Sequence, residues 1–139
     1  MRIRRNGEEL KEKALQEARK AERLHEQRLI EQLMDQKGPG GKAVLGTEPT
    51  LEALLVGQVH TLIIRHDFKE NGYTCPSGHI LSTHLKTCPL CGQPMKEVLD
   101  LGEEMVEEAL SQGAEIEHVF ASHEGFNPYG VGALLRFTI

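Results

Sequence analysis

No wholly apolar run in this sequence extends beyond a few residues, as at 54–56 and 62–64, far short of the roughly 20 that a membrane-spanning helix requires. A transmembrane segment is excluded. Residues 1–12 are polar, mixed in charge and without an apolar core, so a secretory leader is not expected there and a cytoplasmic location is. Three cysteines, an odd number, make no disulfide framework in a chain of this size. Basic charge is also short, with 16 Lys and Arg against 21 Asp and Glu for a net −5. The 139 residues, 39% hydrophobic and 27% charged, suit one domain with an appendage and not a multidomain enzyme.

The charge is unevenly spread. Residues 1–36 carry nine Lys/Arg against eight Asp/Glu and no aromatic residue, while residues 37–139 carry seven against thirteen and hold all six aromatics. An acidic domain repels phosphate backbones, so direct nucleic-acid binding is disfavoured and a protein partner is expected. From residue 8 to 36 the sequence is rich in Glu, Lys, Arg, Gln, Ala and Leu and free of Pro and Gly, which predicts a long solvated helix. Its apolar stripe (Leu10, Ala14, Ala18, Ala21, Leu24) is thin and drifts toward Leu29 and Leu33. A dimerising coiled coil would need a sustained heptad, which is not present.

Gly38-Pro39-Gly40-Gly41 breaks this helix and opens a new unit. It is not a phosphate-binding loop, because a helix precedes it and Ala43, not Ser or Thr, follows Lys42. A short strand at 43–45 is expected next, then a helix capped by Thr47 with Pro49 in its first turn and Leu51, Leu54 and Leu55 on one face, ended by Gly57. The β-branched run 59–64 reads as a strand buried on both faces. Residues 98–112 place Val98, Leu101, Met105, Val106, Ala109 and Leu110 on one helical face. Glu97, Asp100, Glu103, Glu104, Glu107 and Glu108 fall mostly opposite and read as a solvated face without perturbed pKa values. Gly113 ends that helix; strands at 116–120 and 131–139 follow, separated by a glycine-rich loop. The order of elements predicts a three-layer α/β domain.

The chemistry-bearing segment lies between these elements. Cys88-Pro89-Leu90-Cys91-Gly92 has two thiols at x-x spacing, a stiffening Pro and a Gly where the backbone must fold back to donate amides to sulfur, the pattern of a zinc knuckle. A redox pair would have to open a helix, against which Gly92 and Pro94 argue. Cys75-Pro76-Ser77-Gly78-His79 supplies a second knuckle with its second ligand displaced by one position. Cys75, His79, Cys88 and Cys91 together form a tetrahedral Cys3His set for a structural Zn2+, with His84 as the alternative fourth ligand. So small a ribbon depends on its metal to fold. Four protein ligands leave no coordination position for water, which argues against a zinc hydrolase or nuclease. His60, His66 and His118 are read as strand or strand-flanking residues. His123-Glu124 has no nucleophile beside it, so no catalytic residue is assigned.

These residues resemble the third domain of archaeal and eukaryotic class-1 peptide chain release factors, of Pelota-type ribosome-rescue factors and of their bacterial relatives. The stretches concerned are Gly40-Gly41-Lys42-Ala43-Val44-Leu45-Gly46, the Leu-x-Ala-Leu helix leading to a Gly-x-Val strand over 51–59, the cysteine ribbon at 73–95, and the terminal Gly130-Val131-Gly132-Ala133-Leu134-Leu135-Arg136-Phe137. The resemblance covers roughly residues 38–139. It implies the mixed-sheet fold of kink-turn RNA-binding ribosomal proteins with an inserted zinc ribbon, preceded by a connecting helix (1–37) that ends a second domain. It further implies a non-catalytic docking domain that contacts a translational GTPase and the ribosome. The Gly-Gly-Gln loop that serves peptide release in the family's second domain does not occur here. The alternative reading is a stand-alone kink-turn RNA binder, against which the acidic charge counts.

Overall fold

The computed structural model describes residues 2–138, with side chains from residue 8 onward. The elements run α1 (Arg2–Gln36), β1 (Ala43–Leu45), α2 (Thr47–Leu55), β2 (Val59–Arg65), β3 (Gly72–Thr74), β4 (Leu81–Ser82), β5 (Lys96–Val98), α3 (Leu101–Ser111), β6 (Glu115–Val119) and β7 (Val131–Leu135). β1, β7, β2 and β6 form one sheet in that order, with β2 parallel to β6 and β7 antiparallel to both its neighbours. A parallel pair needs a long crossover. Here α3 provides it, and β3 to β5 are interposed as a separate three-stranded sheet.

The period-2 alternation of β2 sends its side chains to two cores. Leu62 and Ile64 pack with Leu51 and Leu54 of α2 and with Leu101, Met105 and Ala109 of α3. Ile63 points the other way, to Ile30 and Leu33 of α1 and to Phe126 from the loop after β6. The domain is therefore an α/β/α sandwich. Gly132 in β7 sets the spacing of the α1 layer: a Cβ there would lie 2.8 Å from the Val44 carbonyl oxygen and 3.0 Å from Leu33 Cδ2.

The last third of α1 packs on the sheet; among the described side chains every residue from 8 to 25 is exposed. The contact begins at His25, whose Nε2 lies 3.2 Å from Glu117 Oε1 of β6. Next to it Glu26 is a buried acid whose carboxylate accepts the backbone N–H groups of Phe120 (3.2 Å) and Ala121 (3.0 Å) and lies 3.4 Å from His123 Nε2. Burial alone would raise its pKa, but the Ala121 and Phe120 amides and His123 outweigh it and hold the carboxyl below its ordinary value.

Several boundaries differ from expectation. Val98 pairs with Gly72 in β5 instead of opening α3, because Asp100 caps the helix by accepting the Glu103 N–H at 3.2 Å. Gly46, not Thr47, occupies the α2 cap, and the Thr47 hydroxyl donates to Glu70 Oε2 at 2.9 Å. β6 stops at Val119, leaving Phe120 exposed. β7 ends at Leu135, close to where its neighbours β1 and β2 begin, and Ile139 of the expected strand lies outside the described residues. No helix among the described residues is long and apolar enough to cross a membrane.

Candidate metal centre

The small sheet has the order β4-β3-β5, and Tyr73 of β3 faces Ser82 on one side and Glu97 on the other. One knuckle forms the turn between β3 and β4; the other is bracketed by an isolated bridge between Thr87 and Pro94. The two are built alike. The Cys75 N–H donates to the Ile80 carbonyl at 3.0 Å and the Cys88 N–H to the Gln93 carbonyl at 2.9 Å, each five residues on. Inside them Gly78 and Gly92 take φ of +78° and +76° and donate to the carbonyls of Cys75 and Cys88, both at 2.8 Å. The first turn closes on the third residue and the second on the fourth, so the second ligand of each knuckle falls at a different offset: Cys-x-x-x-His in one, Cys-x-x-Cys in the other.

This folding brings one donor atom from each of Cys75, His79, Cys88 and Cys91 within 4.8 Å of every other. Cys75 Sγ lies 3.4 Å from His79 Nδ1 and 3.6 Å from Cys91 Sγ, and Cys88 Sγ lies 4.0 Å from His79 Nδ1. A tetrahedron with zinc-like bond lengths has edges of about 3.8 Å between sulfurs and about 3.6 Å between sulfur and nitrogen. The separations fit it. Cys75 and Cys88 are buried while His79 and Cys91 stand on the outer side.

Burial works against a thiolate at Cys75. The amides of His79 and Ser77 and the thiols of Cys91 and Cys88 nevertheless outweigh it and bring the group down to about 6 from 9.0. At Cys91 an amide from Gln93 favours the thiolate, yet burial and the neighbouring Cys75 and Cys88 prevail and push it up. One thiol is thus readied for deprotonation while close thiolates repel one another, the electrostatic situation that a divalent cation relieves.

His84 stands apart from the cluster. Its Nδ1 lies 3.1 Å from Thr83 Oγ1 and 3.8 Å from Glu48 Oε1, and Thr83 itself hydrogen-bonds Glu48 of α2. The other histidines are scattered. His25 pairs with Glu117 at 3.2 Å, His60 contacts Thr61 at 2.7 Å, His66 stacks on Phe120 with ring centroids 5.1 Å apart, His118 is exposed on β6, and His123 serves Glu26. Glu124 is exposed and takes no part in that contact.

The acidic face of α3 departs from the sequence reading. Glu103, Glu104, Glu107 and Glu108 do lie on the helix, but Glu97 belongs to β5 and Asp100 is the cap. Burial, followed by Glu107 and Glu103, raises the pKa of Glu104. The expectation of an unperturbed solvated face failed because the ribbon folds back over part of it, placing Ile80 and Leu81 opposite Glu104, Glu107 and Glu108. Helical periodicity carries no signal for that. Buried Glu26 and Phe126 were missed for the same reason, each being recruited from an otherwise polar segment by a long-range contact.

No family model matches the chain, and neither does any curated protein. Solved structures do. The C-terminal domain of a peptide chain release factor from Methanosarcina mazei superposes with a TM-score of 0.66 at 19% identity, covering 94% of this chain and 93% of that one. The crystal structure of an archaeal translation termination factor is matched at 20% identity with a TM-score of 0.41, over 88% of this chain but 26% of its own length. The first likeness spans both chains almost end to end, so the fold is that of a release-factor C-terminal domain.

Proposed function

We propose that this chain is a non-catalytic docking domain of a translation termination or ribosome-rescue factor, working in the cytoplasm through contacts with a translational GTPase, the ribosome or both. The observation that carries this reading is the end-to-end fold match with the release-factor domain. The terminal stretch that resembles the family supports it by having structural tasks at Gly132, Ala133, Leu134 and Arg136. Gly132 admits α1 against the sheet, Ala133 and Leu134 fill the two cores, and the Arg136 guanidinium donates to the carbonyls of Val59 (2.9 Å) and Gln112 (2.7 Å), closing the C-terminal end of α3. Residues 1–37 are proposed as the helix connecting to a preceding domain, and 38–139 as the docking domain with its ribbon at 73–95.

In the ribbon, Cys75, His79, Cys88 and Cys91 would hold Zn2+ as a closed structural site. Bound there, the ion supplies cross-linking of the two knuckles and neutralisation of the thiolates; the closed donor set leaves no place for substrate. Cosedimentation of the zinc-loaded protein with ribosomes, with and without the translational GTPases of the same cell, tests the functional reading. Retention in the ribosomal fraction or a stable complex with a GTPase is expected. Failure of both, or tight salt-dependent binding of a kink-turn RNA in a gel shift, would overturn it.

A further inference from the structure

Where the ribbon folds back on the helical layer it leaves a cavity of about 210 Å³ between α2, α3 and β4. The apolar side is formed by Leu55, Ile80 and Leu81, and the opposite wall by Glu104, Glu107 and Glu108 of α3. Spacing of three and four residues stacks these carboxylates on one helical face. Leu55 is 56% exposed, although the neighbouring Leu54 is fully in the core. Like charge has accumulated beside apolar surface: Glu104 is raised by burial and by Glu107 and Glu103, with Lys96 opposing them.

We propose that this groove docks a basic protein segment, which inserts one aliphatic or aromatic side chain beside Leu55 while flanking Lys or Arg residues pair with Glu104, Glu107 and Glu108. Size and charge select this occupant. The cavity is smaller than the roughly 300–1,000 Å³ of small-molecule sites, so it takes an anchoring side chain and not a metabolite. Its carboxylate wall repels phosphate backbones, anionic membranes and acidic peptides, and it rewards guanidinium or ammonium groups. Ile80 and Leu81 belong to the ribbon, as does His79 at the margin of the groove, so the metal centre determines whether the apolar side is in place. The ribbon thereby gains a role beyond supporting itself. The inference does not depend on the translational reading.

Selection of phage-displayed random heptapeptides on the zinc-loaded full chain tests the proposal, followed by fluorescence polarisation of the enriched sequences. Enrichment of peptides with a large apolar residue between Lys or Arg residues is expected. Their binding should weaken at least tenfold in the E104Q/E107Q variant and in Leu55→Asp. Leu55 and Glu107 are exposed and Glu104 is half-buried, and unchanged circular dichroism and melting temperature should show that the variants fold. Affinity should fall with added salt and when a chelator strips the metal. Neutral or acidic consensus sequences, no enrichment at all, or basic peptides held equally well by either variant or by the metal-free protein would each overturn the proposal.

Discussion

The sandwich and the ribbon differ in what fills their centres. Around β2 the sandwich buries side chains on both faces of a sheet, with Leu62, Ile63, Phe126, Leu101 and Met105 wholly inaccessible. Across residues 72–98 the only buried hydrophobic residues are Cys75 and Cys88, both of the metal cluster. The strands there are two or three residues long, and Leu81 and Val98 lean on the sandwich core instead of forming another. Hydrophobic burial at roughly 25 cal/mol per Å² supports the first region and contributes little to the second. With the proposed zinc bound, donor geometry would substitute there for a core.

Removing the proposed zinc, or one of its two buried candidate donors, should break this comparison most strongly. Structural zinc contributes an apparent ~10–16 kcal/mol in small zinc folds, against the 5–15 kcal/mol that stabilises a typical domain. In Cys88→Ser, or after chelation, residues 72–98 should lose hydrogen-exchange protection while β2 and β7 keep theirs. Elemental analysis of the untreated protein should give about one zinc per chain. A ribbon that stays protected without metal would show that its contacts with α2 and α3 suffice. Phe126→Ala addresses the other region. Emptying a site of 0% exposure between α1 and the sheet should cost about 3–5 kcal/mol, read as a lowered denaturant midpoint, with zinc stoichiometry unchanged.

Glu26 sharpens the comparison by asking whether α1 belongs to the sandwich or merely leaves it. Its carboxyl is held below the ordinary value of 4.5 in the folded protein, so the unfolded chain takes up the proton first as pH falls. The contribution of Glu26 is therefore fully present above the unfolded value and is lost as pH drops through the lower, folded one. Glu26→Gln should cost about 1–3 kcal/mol at neutral pH by weakening the bonds to the Phe120 and Ala121 amides. It should also remove part of the acid-induced destabilisation, measured by denaturant titration between pH 3 and pH 7. Loss of stability without any change in pH profile would mean that the packing of Ile30 and Leu33, and not the ionised carboxylate, holds the helix.

Much of this architecture was legible from local pattern. The nearly continuous apolar, β-branched run 59–64, the Gly-Pro-Gly-Gly break and the glycine positions within the knuckles each encode a local conformation, and the order of elements then restricts the layers that can form. What depended on contacts distant in sequence was not legible. Glu26 looks like any other charge on a solvated helix until the end of β6 arrives with two unpartnered amides, and Glu104 and Glu108 of α3 look fully solvated until the ribbon half-buries them. Asp100 is a partial case: a capping residue three positions before Glu103 is visible in the sequence, but the apolar Val98 extended the apparent helical face through it. The knuckles show the same division. Their candidate donors could be named from spacing, and the structure brings Cys75, His79, Cys88 and Cys91 together, whereas the choice between His79 and His84 rests on where β4 carries the chain after its hairpin.

That choice yields the smallest effect and the finest distinction. His84 is largely exposed, and its ring contacts Thr83 and Glu48 instead of sulfur. His84→Ala should therefore change stability by no more than about 0.5 kcal/mol and leave zinc affinity as it was. His79→Ala removes a donor that lies 3.4 Å from Cys75 Sγ, and metal affinity should fall by more than the roughly 10–100-fold typical of losing an outer-sphere partner. Cobalt substitution separates the two without reliance on stability. The visible bands of a tetrahedral Cys3His site should persist in His84→Ala and change in intensity and position in His79→Ala, where water must take the fourth place. The reverse result would move the fourth ligand to His84. The ribbon would then have to pull β4 away from Glu48, opening the junction with α2 that now joins the two regions.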